Sequence, residues 1–158
     1  MTTAPIDPNR VVVGVDGSKP SDAALRWGRF LAESMGGTLQ VVFAWPTIAE
    51  WAADWAPDDW GGVPPEADPV PDATRLLDQA VERAFGDDRP TGLQTTVAEG
   101  SPAKTLLEIS EGARMLVVGS RGHGGFAGLL LGSVSAACAE HAHCPVLVVH
   151  GLTPPPPR

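Results

Sequence analysis

Glycines crowd one stretch near the C-terminal end of the chain, where their spacing predicts a site for a phosphate group. An apolar run of strand type, residues 115–118, is followed by six glycines, at positions 119, 122, 124, 125, 128 and 132. Glycine lets backbone N–H groups come close to a bulky anion and permits positive φ angles. Ser133 then opens a helical pattern, so we expect its hydroxyl at the cap of a helix whose N-terminus also attracts anions. A plain flexible loop of an α/β domain is the alternative.

Two charged side chains are candidates to assist such a site. Asp16 directly follows a run of β-branched residues, and a carboxylate at the C-terminal end of a buried strand lies where open α/β sheets bind ligands. Its oxygens could accept hydrogen bonds from ribose hydroxyls or an adenine amino group, or else from the backbone of an Asx-type turn. Arg121 is the best available cation for a phosphate, although a solvated loop arginine fits the sequence equally well.

Other motifs in the chain are weaker. Residues 122–127 match the dinucleotide pattern G-x-G-x-x-A, but they lie near the chain end and no acidic residue follows on a second strand. A P-loop lysine is absent, and Cys138, His141, His143 and Cys144 do not have the spacing of a standard zinc site. No nucleophile with its base and no pair of acid and base carboxylates can be assigned. The sequence therefore indicates no enzyme mechanism.

Composition and charge limit the kinds of partner. The chain has 158 residues, about one domain, and a formal net charge of −8 without a basic cluster, so we expect no nucleic-acid partner. It has neither a run of 18 apolar residues nor a signal-peptide pattern, which predicts a cytoplasmic protein that does not enter a membrane. In that compartment Cys138 and Cys144 are expected to be reduced thiols.

Apolar periodicity predicts five strands alternating with four helices, which is typical of a doubly wound, Rossmann-like parallel sheet with helices on both faces. Strand order 3-2-1-4-5 would bring the Asp16 and Gly119 segments face to face. Within the sheet domain, residues 10–150, an irregular excursion rich in Trp and Pro covers residues 45–72. A flexible leader, residues 1–9, and a Pro-rich tail, residues 151–158, flank the domain. The predicted strands are residues 11–15, 39–44, 93–98, 115–118 and 146–149; the predicted helices are residues 20–35, 72–85, one that Ser101 and Pro102 open, and 133–142.

Three segments together, VVVGVDGS, VVGSRGHGGFAGLLLGSVS and CPVLVV, resemble the universal stress protein family over nearly the whole chain, specifically its ATP-binding branch. That family's nucleotide motif, Gly-x2-Gly-x9-Gly-Ser/Thr, is met by Gly119, Gly122, Gly132 and Ser133. The resemblance implies that Asp16 is the family's acidic site residue and that the backbone of Ala44 holds adenine. It further implies site positions at Gly14, Val15, Val118, Arg121, Val134 and Ser135.

The function that the resemblance implies is nucleotide-dependent regulation of the stress response through an unknown protein partner. The expected cofactor is ATP, or AMP or ADP in its place, together with Mg²⁺, and hydrolysis is expected to be slow if it occurs at all. The alternative is a nucleotide-free homologue that serves as a protein-interaction module, as in the other branch of the family. The intact glycine spacing favours the nucleotide-binding branch.

Two further expectations concern surfaces. The last strand, Val146–Val149, is apolar on both faces and is expected at a sheet edge, where unpaired backbone groups attract another chain. Since the family often pairs in this way, a homodimer through this strand is expected. Residues 45–60 leave the second strand beside Ala44 and are predicted to cover the site as a lid; tryptophans that pack on the protein itself or on a partner are the alternative.

Overall fold

A computed structural model describes residues 7–45, 47, 70–120 and 131–157 of the chain. Its helices and strands alternate along the described part. The strands are β1 (Val11–Val15), β2 (Leu39–Trp45), β3 (Gln94–Glu99), β4 (Met115–Gly119) and β5 (Val146–Val149), and the helices are α1 (Lys19–Ser34), α2 (Val70–Phe85), α3 (Pro102–Ile109) and α4 (Ser133–His141).

The five strands form one parallel sheet in the order β3-β2-β1-β4-β5, which confirms the predicted topology. The register places Val13 beside Val41 of β2 and Val117 of β4. Strand β1 is therefore central, as its continuous β-branched sequence predicts. Strands β3 and β5 lie at the two edges.

Alternation along the strands divides the apolar core into two layers. Val11, Val13 and Val15 of β1 belong to the layer under α1 and α2, together with Leu25 and Leu77. On the opposite face Val12 packs in the layer that also holds Val42, Leu106, Leu116 and Cys138, under α3 and α4. Since successive side chains of a strand point to opposite faces, the helices must cover both sides of the sheet.

Helix α1 has clear start and stop signals. The Ser18 hydroxyl accepts a hydrogen bond from the backbone N–H of Ser21, and Pro20 lies in the first turn. After the helix, Gly36 adopts φ +64, the left-handed conformation that commonly terminates helices, and the N–H of Gly37 donates to the carbonyl of Ala32. The helix thus begins and ends within one residue of its predicted bounds.

The chain after β5 lies against α1. The indole N–H of Trp27 donates to the carbonyl oxygen of Thr153 at 2.8 Å. Further along, Pro155 and Pro156 line a small cleft with Phe30 of α1 and Phe85 of α2. The segment after β5 is therefore tied to the two helices on one face of the sheet. Among the described residues no helix is long and apolar enough to cross a membrane.

Candidate functional site

A crevice opens where the strand order reverses, between β1 and β4. The two strands pair from Val11 with Met115 up to Val13 with Val117, although β1 continues to Val15 and β4 to Gly119. Beyond that point β4 still pairs with β5, and β1 with β2. The carboxyl ends of parallel strands at such a switch point are where open α/β sheets bind ligands.

On one side of the crevice, Asp16 forms a tight turn into α1. One carboxylate oxygen of Asp16, Oδ1, accepts the backbone N–H of Ser18 at 2.9 Å. The hydroxyl of Ser21 in turn donates to the carbonyl of Ser18 at 2.8 Å. The Asx-type turn considered from the sequence is therefore present. This turn fixes the orientation of the Asp16 carboxylate at the edge of the crevice.

On the other side, Gly119 ends β4 against the start of α1. A Cβ atom built on Gly119 would lie 3.2 Å from backbone atoms of Pro20, so the absence of a side chain lets the two segments approach. Neither Gly119 nor Gly132 has a positive φ, and the other four glycines of the stretch lie outside the described residues. A Cβ on Gly14 would likewise lie 2.6 Å from the side chain of Leu106. Both glycines meet a packing requirement of the protein itself.

The ends of the glycine-rich segment are held together by hydrogen bonds among Ser120, Gly132 and Ser135. The N–H of Gly132 donates to the carbonyl of Ser120 at 2.6 Å, and the hydroxyl of Ser135 reaches the same carbonyl at 2.9 Å. The Ser135 hydroxyl also lies 3.1 Å from the carbonyl of Gly132. Residues 121–130, which include the predicted site residues Arg121 and Gly122, lie outside the described residues.

The helix cap differs from the sequence expectation. Gly132 is the N-cap of α4, and Ser133 is the first residue of the helix rather than its cap. The Gly132 carbonyl accepts the first helical hydrogen bond, from Ala136. The N–H groups of Ser133, Val134 and Ser135 therefore precede any helical acceptor and form a group of donors for an anion. The exposed Ser133 hydroxyl lies beside them, whereas that of Ser135 is buried and engaged with backbone.

The remaining predicted positions are fixed by strands. Val15 and Val118 are buried in the core layers on opposite faces, so only their backbone atoms remain at the edge of the crevice. Half-buried Ala44 lies on β2, two strands away from β4, and pairs with Ala98 of β3. Trp45 packs on the core with its indole nitrogen buried and without a hydrogen-bond partner among the described residues. Apart from Trp45 and Thr47, the proposed lid lies outside the described residues.

The sequence reading missed an ion pair next to the Asp16 turn. Arg83 of α2 binds the carboxylate of Asp22 through Nε at 2.9 Å and Nη2 at 3.0 Å. Nη2 also lies 3.4 Å from the carbonyl of Gly17. The hydrogen bonds that Arg83 donates to Asp22, opposed in part by desolvation, raise the pKa of Arg83. An acidic residue in the first turn of α1 was the available signal, but nothing local identifies its partner.

The C-terminal thiols lie in the core rather than at the crevice. Cys138 of α4 is fully buried, and burial raises the pKa of its thiol to about 11. Cys144 packs half-buried against the same layer, and both cysteines are free. Within the described part of the chain, no group of three or more His, Cys, Asp or Glu side chains could hold a metal ion.

The described strands and helices define a doubly wound α/β protein with a crevice at its topological switch point. The chain belongs to the universal stress protein family, whose model matches residues 8–150. It is 39% identical over 143 residues to the universal stress protein Rv2005c of Mycobacterium tuberculosis, covering 89% of this chain and 47% of that protein. Identity to Rv2623 of the same organism is 33% over 149 residues, covering 89% and 47%. The chain thus spans about half the length of these relatives.

Solved structures share the fold. A universal stress protein in complex with cAMP is 28% identical with a TM-score of 0.64, covering 90% of this chain and 96% of the other. A universal stress protein from Archaeoglobus fulgidus in complex with dAMP is 18% identical with a TM-score of 0.61, covering 89% and 97%. At that lower identity the likeness concerns the fold alone.

Proposed function

We propose that this chain binds an adenine nucleotide in the crevice between β1 and β4, and that its occupancy regulates a protein partner in the stress response. One observation carries the proposal. The carbonyl of Ser120 accepts hydrogen bonds from the N–H of Gly132 and the hydroxyl of Ser135. These bonds place the N–H groups of the first turn of α4 beside the end of β4. Such donors stabilise a phosphate group through hydrogen bonds and the helix dipole.

Similarity to the cAMP-bound structure supports an adenine ligand, and ATP is the form that we propose for this chain, with AMP or ADP as replacements. Asp16, oriented by its turn, would accept hydrogen bonds from the ribose or the base, and the backbone of Ala44 would hold adenine. Mg²⁺ that accompanies ATP takes most of its ligands from phosphate oxygens and water. We propose slow hydrolysis at most.

The proposed setting is the cytoplasm, with a homodimer formed through β5. A nucleotide-free interaction module remains the competing function, because the packing of Gly14 against Leu106 and of Gly119 against Pro20 would be needed in either case. Bound nucleotide distinguishes the two functions directly.

The test is to denature the purified protein, identify any released nucleotide by mass, and titrate nucleotide-free protein by calorimetry. ATP with Mg²⁺, AMP and cAMP are compared as ligands. We expect saturable binding of ATP with one site per chain. If none of the three nucleotides is released or bound by folded protein, the nucleotide-binding function is wrong and the interaction module is favoured.

A further inference from the structure

The Arg83–Asp22 pair joins α2 to the first turn of α1, which directly follows the turn that carries Asp16. Nε and Nη2 of Arg83 donate to the two carboxylate oxygens of Asp22 in a fork geometry, which fixes the relative orientation of the two side chains as well as their distance. Asp22 is 8% exposed, and Arg83 is its ion-pair partner. The same guanidinium reaches the carbonyl of Gly17, the residue directly after Asp16.

Asp22 and Asp16 belong to one hydrogen-bonded unit. The N–H of Asp22 donates to the Ser18 carbonyl at 3.2 Å, and the Ser18 hydroxyl accepts from Ser21. Ser18 is also the residue whose N–H binds the Asp16 carboxylate. Asp22 and Gly17 are therefore linked to Asp16 through Ser18, while the Arg83 side chain that contacts both of them is 43% exposed.

We propose that Arg83 is a positioning residue for the nucleotide site: by gripping Asp22 and Gly17 it holds the Asp16 carboxylate in the orientation that accepts a hydrogen bond from the ligand. The inference rests on the proposed function. If so, the way α2 packs against α1 affects nucleotide affinity, although Arg83 itself contacts Asp22 and Gly17 rather than the ligand.

A double-mutant cycle tests the inference with ATP as the titrated ligand. Asp16→Asn replaces the carboxylate oxygen that accepts the Ser18 N–H with an amide oxygen, which also accepts, and removes the charge, so the turn remains. We expect Arg83→Gln to weaken ATP binding about fivefold or more when Asp16 is present, and by less than about twofold in the Asp16→Asn protein. Arg83→Lys, which retains the charge without the fork, should recover part of the loss.

Arg89→Gln is the matched control, because it removes an exposed Arg–carboxylate pair with Glu82 at the same cost in net charge, outside the Asp16 turn. We expect its ATP affinity to equal that of the wild type. Should Arg83→Gln fail to fold, Asp22→Asn replaces it in the cycle with the same expected coupling.

The inference is overturned if Arg83→Gln leaves ATP affinity unchanged, or weakens it equally with and without the Asp16 carboxylate. Either result, with ATP still binding the wild type, leaves the proposed function intact. Wild-type protein that binds no ATP overturns both.

Discussion

Gly119 and Gly132 satisfy different physical demands although they belong to one sequence motif. Gly119 lies against Pro20, where a Cβ would make a tight contact of 3.2 Å with the protein itself. Gly132 has φ −71 and ψ 168, an extended conformation that any residue adopts. Its backbone angles therefore do not require glycine. In the proposed site the requirement comes from a phosphate that approaches too closely for a side chain.

Gly132→Val is expected to abolish ATP binding, because its branched side chain would occupy the place of the phosphate. The measurement is calorimetric titration with ATP, accompanied by circular dichroism to establish that the variant folds. A folded Gly132→Val protein with wild-type affinity would show that this part of the chain does not hold the phosphate.

Ser133 and Ser135 form a matched pair of hydroxyls for substitution. Ser133→Ala should weaken ATP binding by about 1 to 2 kcal/mol, the value of one charge-assisted hydrogen bond, with little effect on unfolding. Ser135→Ala removes the buried hydroxyl that binds the Ser120 and Gly132 carbonyls, so it should lower the free energy of unfolding by about 1 kcal/mol. Calorimetry and urea denaturation separate the two effects; equal affinities of wild type and Ser133→Ala would exclude the Ser133 hydroxyl as a ligand.

At the scale of elements, β5 pairs with β4 alone among the described strands, so the other side of its backbone has no strand partner there. The carbonyls of Pro145 and Val149 accept hydrogen bonds from Leu116 and Ser120, so they point toward β4. Because backbone groups alternate in direction along a strand, the N–H and carbonyl of Val148 point to the side of β5 opposite to β4. They are available to a second copy of the chain.

Val148→Pro should therefore shift the proposed homodimer toward monomer without loss of a hydrogen bond to β4, since proline removes only the outward N–H. Val148→Ala is the control, because it retains that N–H. Light scattering at micromolar concentration measures the mass of each protein. A monomeric wild type, or a Val148→Pro protein that dimerises as the wild type does, would contradict pairing through β5.

For the whole molecule, a ligand that binds only the folded state adds its binding free energy to stability. ATP at about 100 times its dissociation constant should contribute about 2.7 kcal/mol. For a domain of this size that corresponds to a rise of about 5 to 10 °C in melting temperature. Differential scanning calorimetry with and without ATP measures the rise, and Gly132→Val should show none. A wild-type melting temperature that saturating ATP does not change would argue against binding to the native fold.

The amino-acid sequence by itself determined the architecture, because the signals for it are local. Continuous β-branched runs such as Val11–Val15 predict strands that are buried on both faces. Ser18 with Pro20, and Gly36 with Gly37, set the ends of α1 through the backbone of neighbouring residues. Alternation of such elements leaves few topologies, and the predicted strand order is the observed one.

Only the tertiary structure decided which residues contact each other around the crevice and the helices, because these contacts join positions far apart in the chain. Arg83 and Asp22 are separated by 61 residues, and Trp27 and Thr153 by 126. No periodicity or propensity encodes such partners; they depend on how helices seat on the sheet. The same holds for Gly119 against Pro20, where β4 meets α1. The cap of α4 at Gly132 was also decided this way, because the carbonyl of Ser120, at the other end of the glycine-rich segment, accepts its N–H.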